Sequence, residues 1–314
     1  MKAITLSVIS AVILSCVPIA CGAQTLEKIK YGDFNSWITR NIKESRVLGG
    51  NVKKVYAIGP TATMGSVPYQ GSTASPWATS NVMARIMGVT KGSNAVYPEE
   101  REGHGKCARM CTEIEHCKAA GLVSMDVVVA GTIFLGKMQE PVKSTKNPYS
   151  KMEMGVPYTR RPQSLVFDYK LVIPGTTRLY SSGFGAKKEL PGADKAEALI
   201  LLQRRWEDED GNIYAKRVGT GRELIGKSTE SWINGHKVAV HYGDAAAVYP
   251  LIPVERSYYA RNRKGRLMPV HEVGWDSSDA VPTHMIILFS SGSGAPYTGT
   301  VGSEFCIDNV ALQL

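Results

Sequence analysis

The chain has 314 residues, 43% hydrophobic and 21% charged, which gives ample material for a buried core and excludes a disordered or collagen-like protein. Lys plus Arg number 37 against 28 Asp plus Glu, a net charge of +9, but the bases are scattered among acidic runs such as Glu207-Asp208-Glu209-Asp210. The clustered patch of a nucleic-acid footprint is therefore missing, the excess leans only weakly toward anionic partners, and no internal apolar run could span a bilayer as a helix.

At the N-terminus, Met1-Lys2, the apolar stretch from Ile4 to Ala20 and the small residues Cys21-Gly22-Ala23 read as the basic, hydrophobic and cleavage regions of an export signal. A cut after Ala23 leaves residues 24–314 as a single mature domain. The rival reading takes Ile19-Ala20-Cys21-Gly22 as a lipoprotein box with Cys21 acylated, and Pro18 weakens it. Both routes deliver the protein to the periplasm, the outer-membrane surface or the medium, where disulfides persist.

Beyond the signal, the cysteines are Cys107, Cys111, Cys117 and Cys306. His104 and His116 lie near the first three, yet the spacing matches no standard pair of zinc knuckles. A disulfide between Cys107 and Cys117 is expected, with Cys306 a buried thiol in a terminal core strand. Two segments have helix-like spacing, Ser80 to Met87 and Lys106 to Ala120; the second also fits a hairpin stapled by Cys107 and Cys117, so both readings stay open.

After residue 120 the sequence settles into short apolar runs separated by Gly, Pro, Asn and Asp, which is strand punctuation. Val127 to Val129, Gly131 to Leu135 and His284 to Phe289 are apolar on both faces and suit central strands. From Ser164 to Ile173 the residues Leu165, Phe167, Tyr169, Leu171 and Ile173 share one face, with Ser164, Asp168 and Lys170 on the other, so one face is buried. Val238, Val240 and Tyr242 repeat that pattern. The Asp-Gly dipeptide at 210–211 predicts a hairpin joining the apolar run Ala198–Leu202 to Ile213–Ala215, with the acidic run as its solvated turn. Many short strands and few helices imply an all-β, two-sheet β-sandwich or jelly roll.

The opening Gly32-Asp33-Phe34-Asn35-Ser36-Trp37 and the closing Asp308-Asn309-Val310-Ala311-Leu312 are similar to the terminal strands of jelly-roll carbohydrate-binding modules. The stretch from Gly155 through Val156-Pro157-Tyr158-Thr159-Arg160-Arg161-Pro162 to Lys170 resembles the signature of the putative carbohydrate metabolism domain, with support from Ala130–Gly136 and Ser290–Gly294. The resemblance covers nearly all of the mature chain. It implies a jelly-roll fold with adjacent terminal strands and an exported carbohydrate-handling protein, and it brings no catalytic motif.

Sugar sites need flat apolar faces beside fixed polar groups. Trp37 belongs to the opening motif and Trp206 continues a strand, so both are expected in the core. Trp275, Trp77 and Trp232 sit in loops and are the expected ligand platforms, Trp275 foremost because Asp276, Ser277 and Ser278 follow it; the bland alternative is that each plugs an end of the sandwich. Asp308 is expected to tie the closing strand to the opening one, through a calcium ion shared with backbone carbonyls or by bonding amides near Asp33, because residues so placed in this fold type resemble calcium ligands; a plain outward-facing Asp is the alternative. Carboxylates for glycoside hydrolysis are on offer at Glu99, Glu100 and Glu102 and at Glu272 with Asp276, but proximity in sequence makes no cleft. The resulting expectation is a carbohydrate-binding protein of a polysaccharide-utilisation system. A glycoside hydrolase and a structural surface protein are the alternatives.

Overall fold

The computed structural model of the protein describes residues 25–119, 123–183, 185–252 and 258–314. The segment read as an export signal, with Cys21, lies outside the described residues. Apart from the short 3-10 helices Arg46–Leu48 and Pro148–Lys151, the described elements are strands, so the protein is all-β. Among the described residues no helix is long and apolar enough to cross a membrane.

One sheet has eight strands. Its path runs Ser182–Gly183, Val123–Ala130, Gly105–Ala119, Glu304–Gln313, Ser164–Val172, Ile233–Ala239, with Leu26–Lys28 added against Glu304–Gln313 and Val96–Arg101 against Gly105–Ala119. The two ends of the chain thus pair directly, Leu26 opposite Gln313 and Lys28 opposite Ala311.

The second sheet has ten strands, and seven of them close into a ring: Thr132–Met138, His284–Ser290, Ala196–Glu207, Ile213–Ile225, Leu267–Trp275, Tyr259–Arg261 and Met152–Met154, the last pairing back to Thr132–Met138. Closure removes free edges. Three smaller sheets of three, three and two strands flank the large ones. The plain two-sheet sandwich is corrected accordingly: the two-layer arrangement holds only where one wall of the barrel faces the eight-stranded sheet.

The main core lies between those layers. Leu165, Phe167, Tyr169 and Leu171 from one side meet Ala198, Ile200, Leu202, Ile287 and Phe289 from the other, and the Phe167 and Phe289 rings stand edge to face with centroids 4.8 Å apart. Each large apolar side chain buried here stabilises by roughly 1.5–3 kcal/mol. The chain passes from one sheet to the other at Gly131, where a Cβ would stand 2.1 Å from the Ala95 carbonyl oxygen. Only glycine fits at that corner.

The hairpin about Asp210-Gly211 forms as expected. Glu207 pairs with Ile213, Gly211 takes φ +86°, and Glu209 and Asp210 are exposed. Two other expectations are corrected. The 80–87 segment carries the strand Val82–Ile86, and the described part of the second, 106–119, is neither helix nor hairpin but most of one long strand, Gly105–Ala119. That strand pairs with Val96–Arg101, Val123–Ala130 and Glu304–Gln313, so it is buried on both faces near Cys107-Ala108 and Met110-Cys111-Thr112. A strand buried on both faces loses its period of two and mimics a helix. Cys107 and Cys117 therefore lie ten residues apart on one extended strand, about 33 Å by strand rise, far beyond the reach of a disulfide. Cys107, Cys111 and Cys306 are free thiols.

Candidate functional site

The alternation of Ala196–Glu207 sets out the site. Ala198, Ile200 and Leu202 enter the main core, which turns Glu197, Leu199 and Leu201 toward a cleft of about 510 Å³ on the other side. Leu288 and Ser290 of the neighbouring strand face the same way while Ile287 and Phe289 face the core. Segments remote in sequence complete the walls: the hairpin of Val82–Ile86 and Val89–Ser93, the loops near 142–151 and 249–252, and the Gly/Ser run 290–298. A volume of this size suits a small-molecule ligand.

Four half-buried tyrosines line the cleft, Tyr149, Tyr249, Tyr258 and Tyr297, among apolar Val, Leu and Met side chains. Burial, with the Glu197 and Glu272 charges adding, pushes the Tyr258 hydroxyl well above its ordinary value, so it is a neutral phenol at any working pH. Polar groups interrupt the apolar lining at Ser80, Thr132, Ser144, Ser290 and Thr298.

Apart from Lys151, the charged groups that line the cleft are paired. Arg222 Nε donates to Glu197 Oε1 at 2.6 Å. Burial pushes the Glu197 carboxyl above its ordinary value while the Arg222 charge holds it down, and nearby Asp194 adds to the rise. Deeper in the barrel, Arg217 and Glu272 form an ion pair whose side chains are each 2% exposed. Glu272 Oε1 accepts from Gln203 Nε2 and Arg217 Nε, both at 2.7 Å, and Oε2 accepts from Arg217 Nη2 and from the Ile252 amide at 2.8 Å. Both oxygens are engaged. Beneath the Gly/Ser run, Asp194 Oδ1 accepts from the Lys195 amide at 2.8 Å and from the amide and hydroxyl of Ser293, each at 3.2 Å.

None of the residues expected to touch ligand lines this cleft. Trp77 is 1% exposed; its ring meets Phe34 edge-on at 5.4 Å and its Nε1 donates to the Lys30 carbonyl, so it is a core residue. Trp232 lies half-buried under the Arg101 guanidinium, 4.0 Å from the ring centroid. Trp275 is half-buried with Arg217 5.2 Å from its ring centroid, outside the cleft lining. Asp276 is held by Arg204 at 2.5 and 3.1 Å, and that hydrogen bonding lowers its carboxyl below the usual range. Trp37 is in the core at 6% exposure, whereas Trp206, expected there too, is 40% exposed.

Asp308 is 1% exposed, and its partner is Arg101, whose Nη1 lies 2.6 Å from Asp308 Oδ2 and 2.9 Å from Asp168 Oδ2. The guanidinium supplies the positive charge assigned to calcium. Asp33 is exposed and accepts from Asn35 at 3.3 Å, and the opening and closing strands are joined by backbone bonds such as Ile29 N to Val310 O at 3.1 Å. Among the described residues no group of three or more His, Cys, Asp or Glu is arranged to hold a metal ion.

Sequence reasoning passed over the tyrosines because they lie in loops far apart along the chain. Glu197 did leave a signal: it is the lone acid in the apolar run Ala196 to Leu202, and a carboxylate in such a strand calls for a counter-charge.

Residues 53–225 match the family model described as "Putative carbohydrate metabolism domain". Over 89 residues the chain is 32% identical to a tRNA(Ile)-lysidine synthase of Solibacter usitatus (strain Ellin6076), covering 28% of this chain and 19% of that protein; the chain thus spans about a fifth of that curated relative. Among solved structures, a putative glycoside hydrolase from Bacteroides thetaiotaomicron VPI-5482 aligns at 17% identity and TM-score 0.46 over 87% of this chain and 70% of that one. Another from Bacteroides vulgatus ATCC 8482 aligns at 13% identity and TM-score 0.43 over 92% and 95%. A carbohydrate-binding module specific for non-crystalline cellulose, CBM28, aligns at 10% identity and TM-score 0.26 over 69% and 80%.

Proposed function

Because the chain belongs to the putative carbohydrate metabolism domain family, we propose that it is an exported carbohydrate-binding protein whose cleft takes a short oligosaccharide. The observation that carries this reading is the lining of the cleft, four tyrosine rings beside the Glu197–Arg222 pair and several hydroxyls. Tyrosine rings offer apolar faces to the C–H surface of a pyranose, and fixed polar groups select its hydroxyls. The layers facing one another and the paired chain ends support descent of this fold from a jelly roll in which one layer has closed into a barrel.

Binding is favoured over hydrolysis by the state of the carboxylates. Glycoside hydrolysis needs an acid and a second carboxylate free to act as nucleophile or base. Glu272 spends both oxygens on Arg217, Gln203 and the Ile252 amide, and Glu197 is tied to Arg222. One observation favours the second reading: the raised carboxyl of Glu197 is suited to a proton donor.

The test is a glycan-array screen followed by calorimetric titration of a hit against wild type, Tyr249→Ala and Glu197→Gln, with product analysis of each mixture. A hit whose affinity falls about tenfold or more in the variants, on the order of 1–3 kcal/mol for lost binding anchors, with the sugar recovered intact, is the expected result. Release of shorter sugars that ceases in Glu197→Gln would establish a hydrolase instead, and affinity untouched by either substitution would remove the cleft from the proposal.

A further inference from the structure

A second cavity, about 270 Å³, lies away from the cleft and is bordered by Arg205, Trp206, Glu207, Arg261, Arg263 and His284. Three of its eight lining residues are arginines, and their counter-charges do not balance. Arg263 Nε bonds Glu207 at 3.1 Å, and Arg261 Nε bonds Glu153 at 3.0 Å. Arg205 bonds only neutral oxygens: Nε donates to Gln203 Oε1 at 2.9 Å and Nη1 to the Met154 carbonyl at 3.0 Å. Its Nη2 is out of solvent with no hydrogen-bond partner among the described residues. Glu272, whose charge favours the ionised form of Arg205, is already paired with Arg217.

A guanidinium that is withdrawn from water and faces no carboxylate is unusual, because buried charges are ordinarily paired. The environment registers the excess. Burial pulls Arg205 down to about 10, where it still carries its charge at neutral pH. Burial and the adjacent Arg205 charge pull His284 down to about 4, so the imidazole is neutral and adds no counter-charge of its own. At the lip, Trp206 is 40% exposed and is braced by Tyr214, whose ring stacks on it at 5.9 Å and 22°.

We infer that this cavity binds an oxyanion carried on a sugar, the carboxylate of a uronic acid residue. The inference rests on the carbohydrate reading for the sugar and on the unbalanced arginine for the anion. The carboxylate supplies the counter-charge that Arg205 lacks, with Arg261 and Arg263, both exposed and each sharing an acid of the protein, at the rim. The exposed face of Trp206 takes the apolar side of the ring. Arginine suits the task because its guanidinium stays charged and donates to carboxylates.

The full chain is titrated with glucuronate oligosaccharide, with a neutral glucose oligosaccharide of equal length and with inorganic sulfate, and the His284 ring resonance is followed by NMR across pH. An anion that neutralises Arg205 removes one of the two influences depressing His284, so the midpoint of the bound form should rise by roughly one pH unit. The glucuronate sugar should produce that shift, the neutral sugar should not, and Arg261→Ala with Arg263→Ala should weaken glucuronate binding at least tenfold while the melting temperature stays near that of wild type. Sulfate binding as tightly as the glucuronate sugar would reduce the site to an inorganic-anion site and overturn the inference. Neutral sugar bound elsewhere with no response of His284 to glucuronate would overturn it while leaving the carbohydrate reading intact. If neither sugar binds at all, the carbohydrate reading falls with it.

Discussion

Replacing Arg101 by Met should expose what holds the closing strand in place. The guanidinium bonds Asp168, Asp308 and Asn234 at 2.9, 2.6 and 2.6 Å and covers the Trp232 ring, with a side chain only 3% exposed. Once it is gone, Asp168 still accepts from Asn309 Nδ2 at 2.8 Å and the Gly235 amide at 2.7 Å. Asp308 keeps only the Asn309 amide at 2.8 Å, so it becomes the stranded charge. Removing one partner of a buried ion pair costs about 3–5 kcal/mol, much of it the burden of the charge left behind.

The dependence on pH gives the sign. Burial already raises the Asp308 carboxyl, and Arg101 opposes that rise; without Arg101 the carboxyl moves further up. A carboxyl whose folded value lies above its unfolded one contributes stability that is present at low pH and lost as pH rises through the folded value. Arg101→Met should therefore recover up to about 1.4 kcal/mol per pH unit on acidification from pH 7 toward 5. In wild type the net lowering of Asp168, by its hydrogen bonds to Asn309, Gly235 and Arg101 against burial, acts in the other direction, its contribution being lost as pH falls through the folded value. Denaturant titrations of wild type, Arg101→Met and the Arg101→Met, Asp308→Asn double variant at both pH values measure this. A loss under about 1 kcal/mol at pH 7, or a double variant no more stable than the single one, would refute the stranded-charge account.

Alkylation in denaturant without reductant should label Cys107, Cys111 and Cys306, while in the folded protein Cys111, buried and pushed up to about 12, should resist it; a Cys107–Cys117 bridge seen by peptide mass mapping would contradict the strand geometry. Gly131→Ala should lose at least about 1–3 kcal/mol by overpacking, since the added Cβ meets the Ala95 carbonyl oxygen at 2.1 Å and the Cys111 amide at 2.7 Å; an unchanged melt would show that this corner yields. Trp77→Ala should cost about 3–5 kcal/mol as a core truncation and Trp206→Ala no more than about 0.5 kcal/mol as a surface change, and thermal or denaturant unfolding that reversed this order would overturn the placement of both rings.

What the sequence disclosed followed from local periodicity. Ser164–Val172 has one face in the core, and its alternation showed which. Asp168 keeps the face that alternation gives it, but that face is not solvated there: Arg101, Asn309 and the Gly235 amide bond its carboxylate, partners remote in sequence that local periodicity does not show. Trp77 follows a Gly/Ser/Pro stretch that looked like an exposed loop, yet it begins the short strand Trp77–Thr79, buried throughout. Burial there is set by Phe34 and by the sheet it joins, neither of which composition reveals. The cleft was illegible for a further reason: its walls come from residues near 80–93, 125–152, 197–222, 249–252 and 288–298, with Tyr258, and only closure of the seven-strand ring brings them together.

The same closure explains why charge lies inside a barrel whose remaining interior is Phe134, Met154, Leu199, Leu201 and Ile286. A buried polar network stabilises only when its members are satisfied. From Arg217, which lines the cleft, bonds run through Glu272 and Gln203 to Arg205, which lines the second cavity. At the cleft end the network is neutral, because Arg217 and Glu272 cancel and both Glu272 oxygens are engaged; those groups hold strand Leu267–Trp275 to Ile213–Ile225 and have no lone pair to spare for chemistry. At the other end Arg205 has no carboxylate bonded to it, and Glu272, the charge that favours its ionised form, is already paired with Arg217. One strand, Ala196–Glu207, thus supplies to the cleft Glu197, which is paired, and to the second cavity Arg205, which bonds no carboxylate. A neutral ligand suits the first and an anionic group the second.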